Sequence, residues 1–180
     1  MIQLLIFIGS AVVDFLCAAL LIRFIMQLVR LTFINPLGRF ILAVTEWIVR
    51  PTRRWIPKFQ GVDLSPLVLA WLIQCLWLVL MTSNVSVSTV MGVATLEIVR
   101  LLLHLAMGIV IVSAVLSWVN PYAPLAPLFN ALSRPLLRPL RRFIPPIGGV
   151  DLSPLVLLLL LQILLSVIDS LRFGLLSGVR

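Results

Sequence analysis

Charge is scarce in this chain. Of its 180 residues 11% are charged and only six are Asp or Glu, against about 25% charged residues in an ordinary soluble domain. With 62% hydrophobic residues and a mean hydropathy of +1.20, a water-soluble fold is excluded, because a chain of this length cannot bury so many apolar side chains away from water. Cysteine is equally rare. Cys17 and Cys75 lie in apolar runs with no CxxC, which excludes a disulfide framework and a thiol-redox motif and leaves them as small apolar fillers. The chain has one histidine, and it lacks a P-loop, an HExxH and a Ser-His-acid set, so nothing points to a hydrolytic or transfer enzyme. His104 offers one axial ligand to a haem with no second ligand in view, so neither a cofactor nor a metal is expected.

Long apolar runs are what the chain does have. Four reach the roughly 20 residues that crossing a bilayer requires, at about 4–29, 65–83, 91–118 and 153–171, which predicts an all-α membrane protein with four transmembrane helices. The first is expected to stay in the protein rather than be cleaved, since no basic stretch precedes it and Asp14 interrupts it. Residues 82–89 form a short Ser/Thr loop without a basic residue; the other two connections are rich in Pro and Arg.

The connections repeat. Arg50-Pro51-Thr52-Arg53-Arg54-Trp55-Ile56-Pro57 returns 88 positions later as Arg138-Pro139-Leu140-Arg141-Arg142-Phe143-Ile144-Pro145. Gly61-Val62-Asp63-Leu64-Ser65-Pro66 returns unchanged as Gly149-Val150-Asp151-Leu152-Ser153-Pro154, while Asn35-Pro36 returns as Asn120-Pro121 at an offset of 85. The chain therefore divides into a first repeat at 1–83, a short external loop at 84–90 and a second repeat at 91–180, each a helix, a basic amphipathic connection and a helix. An even number of spans per repeat makes the two copies parallel. Arg30, Arg39, Arg50, Arg53, Arg54 and Lys58 in the first connection, with Arg134, Arg138, Arg141 and Arg142 in the second, place both connections in the cytoplasm. Both termini then lie outside, with Arg172 and Arg180 as the only contrary charges.

Within the first connection, residues 37–49 have the period of an amphipathic helix, with Leu37, Phe40, Ile41, Val44, Trp47 and Ile48 on one face and Arg39, Thr45 and Glu46 toward the other. Asn35 should cap it and Pro36 should be its first residue. Its counterpart carries Leu125, Leu128, Phe129 and Leu132, and Pro127 is expected to shorten it. Ser65 and Ser153 read as N-caps, with Pro66 and Pro154 opening the next spans. Asp63 and Asp151, beside those helix starts, are placed to pair with the Arg53-Arg54 and Arg141-Arg142 doublets. The same arginines, with Arg50 and Arg138, are candidates to bind anionic lipid headgroups or a protein partner, whereas nucleic acid is not expected because Pro, Trp and Ile interleave them.

Ionisable residues inside a span cost at least about 2.5–3.5 kcal/mol each at its centre. Asp14, Glu97, Arg100 and His104 are of this kind. Glu97, Arg100 and His104 share one helix face, and Asp14 falls at a similar depth, so an Asp14–Arg100 pair is expected. Gln74 and Gln162 match at the 88-residue offset and should each hydrogen-bond across a helix interface. These polar groups read first as internal glue, with an ion or small-solute pathway as the alternative.

At the duplicated block the sequence resembles the YggT family of integral membrane proteins, also called YlmG. The resemblance covers essentially the whole chain and implies the two-copy form, in the bacterial inner membrane. It also brings three associated roles, namely osmotic or ion stress tolerance, a link to cell division, and assembly of membrane haem complexes. The resulting expectation is a non-enzymatic scaffold or assembly factor whose partners are anionic lipid, a membrane or cytoplasmic protein, or further copies of itself.

Overall fold

A computed structural model describes residues 1–54, 56, 58–59, 61–82, 86–143 and 151–177. Among these, six helices and one small hairpin follow in the order α1 (Ile2–Leu28), α2 (Pro36–Thr52), β1 (Lys58–Phe59), β2 (Val62–Asp63), α3 (Ser65–Met81), α4 (Val87–Val119), α5 (Ala126–Phe143) and α6 (Ser153–Ser177). By length and apolar composition α1, α4 and α6 can each cross a membrane; α3 is as apolar but has 17 residues. Residues 83–85 of the Ser/Thr loop, Gly149-Val150 of the repeated block and Arg180 lie outside the described residues.

Apolar side chains on several faces of each long helix set the packing. α1 and α3 run antiparallel, as their cross-contacts show. Cys17 Sγ donates to the Ala70 carbonyl at 3.5 Å, and further along Gln27 meets Asp63. Their seam is a core of Cys17, Leu20, Leu21, Leu69 and Ala70, joined by Val49 of α2 and Ile98 of α4. α4 and α6 are antiparallel in the same way, around Leu103, Val110, Leu157, Leu161, Leu165 and Ile168, with Leu137 of α5. A third cluster of Met26, Ile109, Leu128 and Leu132 ties the ends of α1 and α4 to α5.

Helix α2 starts as its sequence dictates. Asn35 Oδ1 accepts from the Gly38 amide at 2.7 Å, and Pro36 occupies the first turn, where a missing N–H is harmless. Its face against the bundle is Gly38, Ile41, Thr45 and Val49, while Phe40 and Trp47 are exposed on another side. Thr45 is therefore not on the solvent side with Glu46, as its polarity had suggested; it turns inward to meet a buried charge.

The second copy departs at its start. Asn120 ends α4 and its Oδ1 accepts from the Tyr122 amide at 3.2 Å, so Asn120-Pro121 makes a turn and α5 opens only at Ala126. Pro127 does not shorten the helix: α5 has 18 residues against 17 in α2. Pro127 sits in the first turn, where proline is tolerated, and the helix carries Pro135 and Pro139 in its interior. One further turn is strained. Arg30 closes α1 at φ +59°, with Arg30 N–H donating to Gln27 O and Leu31 N–H to Met26 O, the paired bonds of a left-handed helix end that glycine normally fills.

Candidate functional site

Each basic connection is closed by the same three residues, an arginine, an aspartate and a serine. In the first, Arg53 Nε donates to Asp63 Oδ2 at 2.7 Å, and Asp63 Oδ1 accepts from the Ser65 amide at 2.9 Å. In the second, Arg141 Nε donates to Asp151 Oδ2 at 2.8 Å, and Asp151 Oδ1 accepts from the Ser153 amide at 2.9 Å. A carboxylate at the start of a helix satisfies a free N–H and meets the positive end of the helix dipole. Asp63 and Asp151 thus hold the helix starts that Ser65 and Ser153 were expected to cap. Each Ser Oγ is buried and, among the described residues, has no hydrogen-bond partner. The serines lie one residue too far into the helix for their hydroxyls to reach back as caps.

Burial pushes the Asp63 and Asp151 carboxyls up. The Ser65 or Ser153 amide and the Arg53 or Arg141 guanidinium, both hydrogen-bonded to the carboxylate, outweigh it and hold both below the usual carboxylate range. Because Arg53 and Arg141 are held in these locks, the remaining basic residues are the available ones. Arg50, Arg54, Arg134, Arg138 and Arg142 are exposed and, among the described residues, have no carboxylate partner.

Behind the first connection lies a charge that the sequence reading passed over. Arg23 of α1 is 1% exposed; its Nη1 donates to Thr45 Oγ1 at 2.8 Å and its Nη2 to Glu46 Oε2 at 2.6 Å. Glu46 in turn approaches Arg53 at 3.8 Å, and Gln27 Oε1 accepts from the Asp63 amide at 3.2 Å. The polar chain Arg23–Glu46–Arg53–Asp63 therefore joins α1, α2, the hairpin and α3. In the second copy the matching positions hold Gly108, Ser133 and Arg134 in place of Arg23, Thr45 and Glu46. There Ser113 of α4 donates to Asn130 Oδ1 and pairs with the Ser133 hydroxyl, each at 2.9 Å, so hydroxyls do the joining without an ion pair.

A second charged group lies between α4 and α6. Arg100 Nε donates to Asp169 at 2.9 Å, its Nη1 is 3.6 Å from Glu97, and Glu97 pairs with Arg172. The Asp14–Arg100 pair is not formed. Asp14 instead accepts from Gln74 Nε2 at 3.4 Å, since Asp169, on the helix packed directly against α4, reaches Arg100 first. Asp14, Glu97, Arg100, Leu101 and His104 nevertheless line one cavity of about 300 Å³. The two matched glutamines part company: Gln74 is 5% exposed, whereas Gln162 is exposed on α6. Among the described residues no three His, Cys, Asp or Glu side chains gather as a metal site.

The architecture is that of an all-helical, multi-pass membrane protein whose two connections are pinned by the same Arg–Asp lock. The chain belongs to the CCB3/YggT family, whose sequence profile matches it twice, over residues 2–83 and again over 93–172. An uncharacterised protein of Pseudomonas aeruginosa is 39% identical over 152 residues, covering 80% of this chain and 77% of the relative. The uncharacterised protein YggT of Escherichia coli is 33% identical over 160 residues (88% and 85%), and a Vibrio alginolyticus protein is 34% identical over 163 (87% and 88%). The names of these relatives assign no activity, and no solved structure matches the chain.

Proposed function

We propose that this protein is a non-enzymatic scaffold of the bacterial inner membrane, with four spans in two parallel repeats and both basic connections in the cytoplasm. The termini then lie outside. At 17 residues α3 is about 25 Å long, enough with its polar flanks to serve as the fourth span beside its antiparallel neighbour α1. The division of labour among the arginines carries the reading. One arginine of each doublet is locked onto an aspartate, and its neighbour at the end of an amphipathic helix, though no less a surface residue, has no carboxylate partner among the described residues. Arg50 and Arg54, with exposed Phe40 and Trp47, and Arg138 and Arg142 in the other copy, suit anionic headgroups at the membrane surface, at about 1 kcal/mol per charge. Osmotic-stress tolerance, cell division and assembly of membrane complexes all fit a protein that gathers lipid or a protein partner at that face. Photocrosslinking from position 47 in intact membranes, with identification of the adducts, tests this. Anionic lipid or a cytoplasmic or membrane protein supports it, and neutral lipid alone overturns it.

A conduit is the second reading, favoured by the cavity that Asp14, Glu97, Arg100 and His104 line. Ion flux through reconstituted liposomes that vanishes with Asp14→Asn and survives loss of the exposed arginines would establish it in place of the scaffold.

A further inference from the structure

Helix α6 is divided into three faces. Leu157, Leu161, Leu165 and Ile168 are buried against α4 and α5. Leu160, Ile163, Leu164 and Val167 are exposed and wholly apolar, as a lipid-facing surface should be. Between the two runs a polar stripe. Gln162, Ser166, Asp169 and Ser170, with Phe173, recur at intervals of three and four residues and form an open, shallow surface along α6. Gln162 stands nine residues into α6, about 14 Å from its start and near the middle of a hydrocarbon layer about 30 Å thick. Its amide is exposed there, and the matching Gln74 is buried against Asp14 in the first repeat.

A primary amide facing acyl chains loses its hydrogen bonds to water and gains none from lipid. The adjoining apolar face shows that α6 already has its lipid surface, so the stripe belongs against another helix. We infer that a second copy of this chain covers it, with two α6 helices side by side across a twofold axis along the membrane normal. The chemistry of the stripe favours a copy of itself. One Gln162 amide donates to its twin and accepts in return, and serines at 166 and 170 allow close helix approach. The one carboxylate in the stripe, Asp169, is already answered by Arg100, so the surface asks no opposite charge of a foreign partner.

The test is disulfide crosslinking of the full chain in membranes, in a Cys17→Ala, Cys75→Ala background, with single substitutions Gln162→Cys, Ser166→Cys, Leu160→Cys or Val167→Cys. Covalent dimers at 162 and 166, and few at 160 and 167, are expected. Monomer at all four positions, equal yields at all four, or adducts with a different protein at 162 and 166 would overturn the inference. Dilution of donor- and acceptor-labelled copies in liposomes reads the association without new cysteines. Gln162→Leu, a surface change that leaves the packed face intact, should weaken self-association about tenfold, the scale of two lost interhelical hydrogen bonds. An unchanged affinity would overturn it too.

Discussion

Arg23 and Glu46 meet at 2.6 Å across the junction of α1 and α2, the arginine 1% exposed and the glutamate side chain 42%. The guanidinium is out of reach of solvent and its Nε has no partner among the described residues, so its charge rests on Glu46 and Thr45. Removing one partner of such a pair strands the other.

Glu46→Ala should therefore lower stability by about 1.5–3 kcal/mol, the scale of a hydrogen bond to a charged group, discounted from a fully buried pair because Glu46 reaches water. The double change Arg23→Met, Glu46→Ala should cost less than the two single changes together. Thermal unfolding in nanodiscs measures both; strict additivity would separate the two residues.

The Arg–Asp locks set the acid limit of the connections. Both aspartates have folded-state values below the ordinary one of about 3.9, so their contribution is complete above that pH and disappears as pH falls through the lowered values. Stability should be flat in this respect from pH 7 to 5 and fall below about pH 4. Asp63→Asn and Asp151→Asn should flatten that acid limb, Asp63→Asn more so because its side chain is 7% exposed against 35% for Asp151. Unfolding midpoints measured against pH decide it.

Arg30 holds a left-handed conformation that costs a side-chain-bearing residue about 1 kcal/mol relative to glycine. Arg30→Gly should raise the unfolding midpoint by a few degrees; a lowered midpoint would mean that the arginine side chain contributes more than the strain costs.

Arg100→Gln and Asp169→Asn should be non-additive, since the first strands the Asp169 carboxylate and the second leaves Arg100 only the longer 3.6 Å approach of Glu97. Arg100→Gln with Asp14→Asn should be closer to additive, because those two share a cavity but no ion pair. A double-mutant cycle read by unfolding compares the pairs directly.

Much of this was legible in the residues. The duplicated block located both connections, and an aspartate beside a helix start near an arginine doublet is enough to anticipate the Arg53–Asp63 and Arg141–Asp151 locks. Asn35-Pro36 announced α2 by the cap and the first-turn proline together. Asn120-Pro121 did not do the same for α5, because three extra residues and the turn at Tyr122 separate the motif from the helix. Arg23 escaped notice because it lies five residues from the end of α1, where a basic side chain in a sequence reads as a flank. Only the placement of α2 across that end turns it into a buried charge. The pairings of Asp169 and Arg172 were hidden for a related reason: near the far end of an apolar run the two look peripheral, and the antiparallel register of α4 and α6 sets them against Arg100 and Glu97.

The central claim is that the arginines without a carboxylate partner among the described residues, and not the locked ones, hold anionic lipid. Native mass spectrometry of the purified protein, counting retained anionic phospholipid, tests it most directly. Changing Arg50, Arg54, Arg138 and Arg142 to Gln should strip most of that lipid while leaving the unfolding midpoint nearly unchanged. Arg53→Gln with Arg141→Gln should lower the midpoint and largely spare the lipid count. Equal lipid retention in the wild type and the fourfold variant, or loss only when the locked pair is changed, would contradict the account.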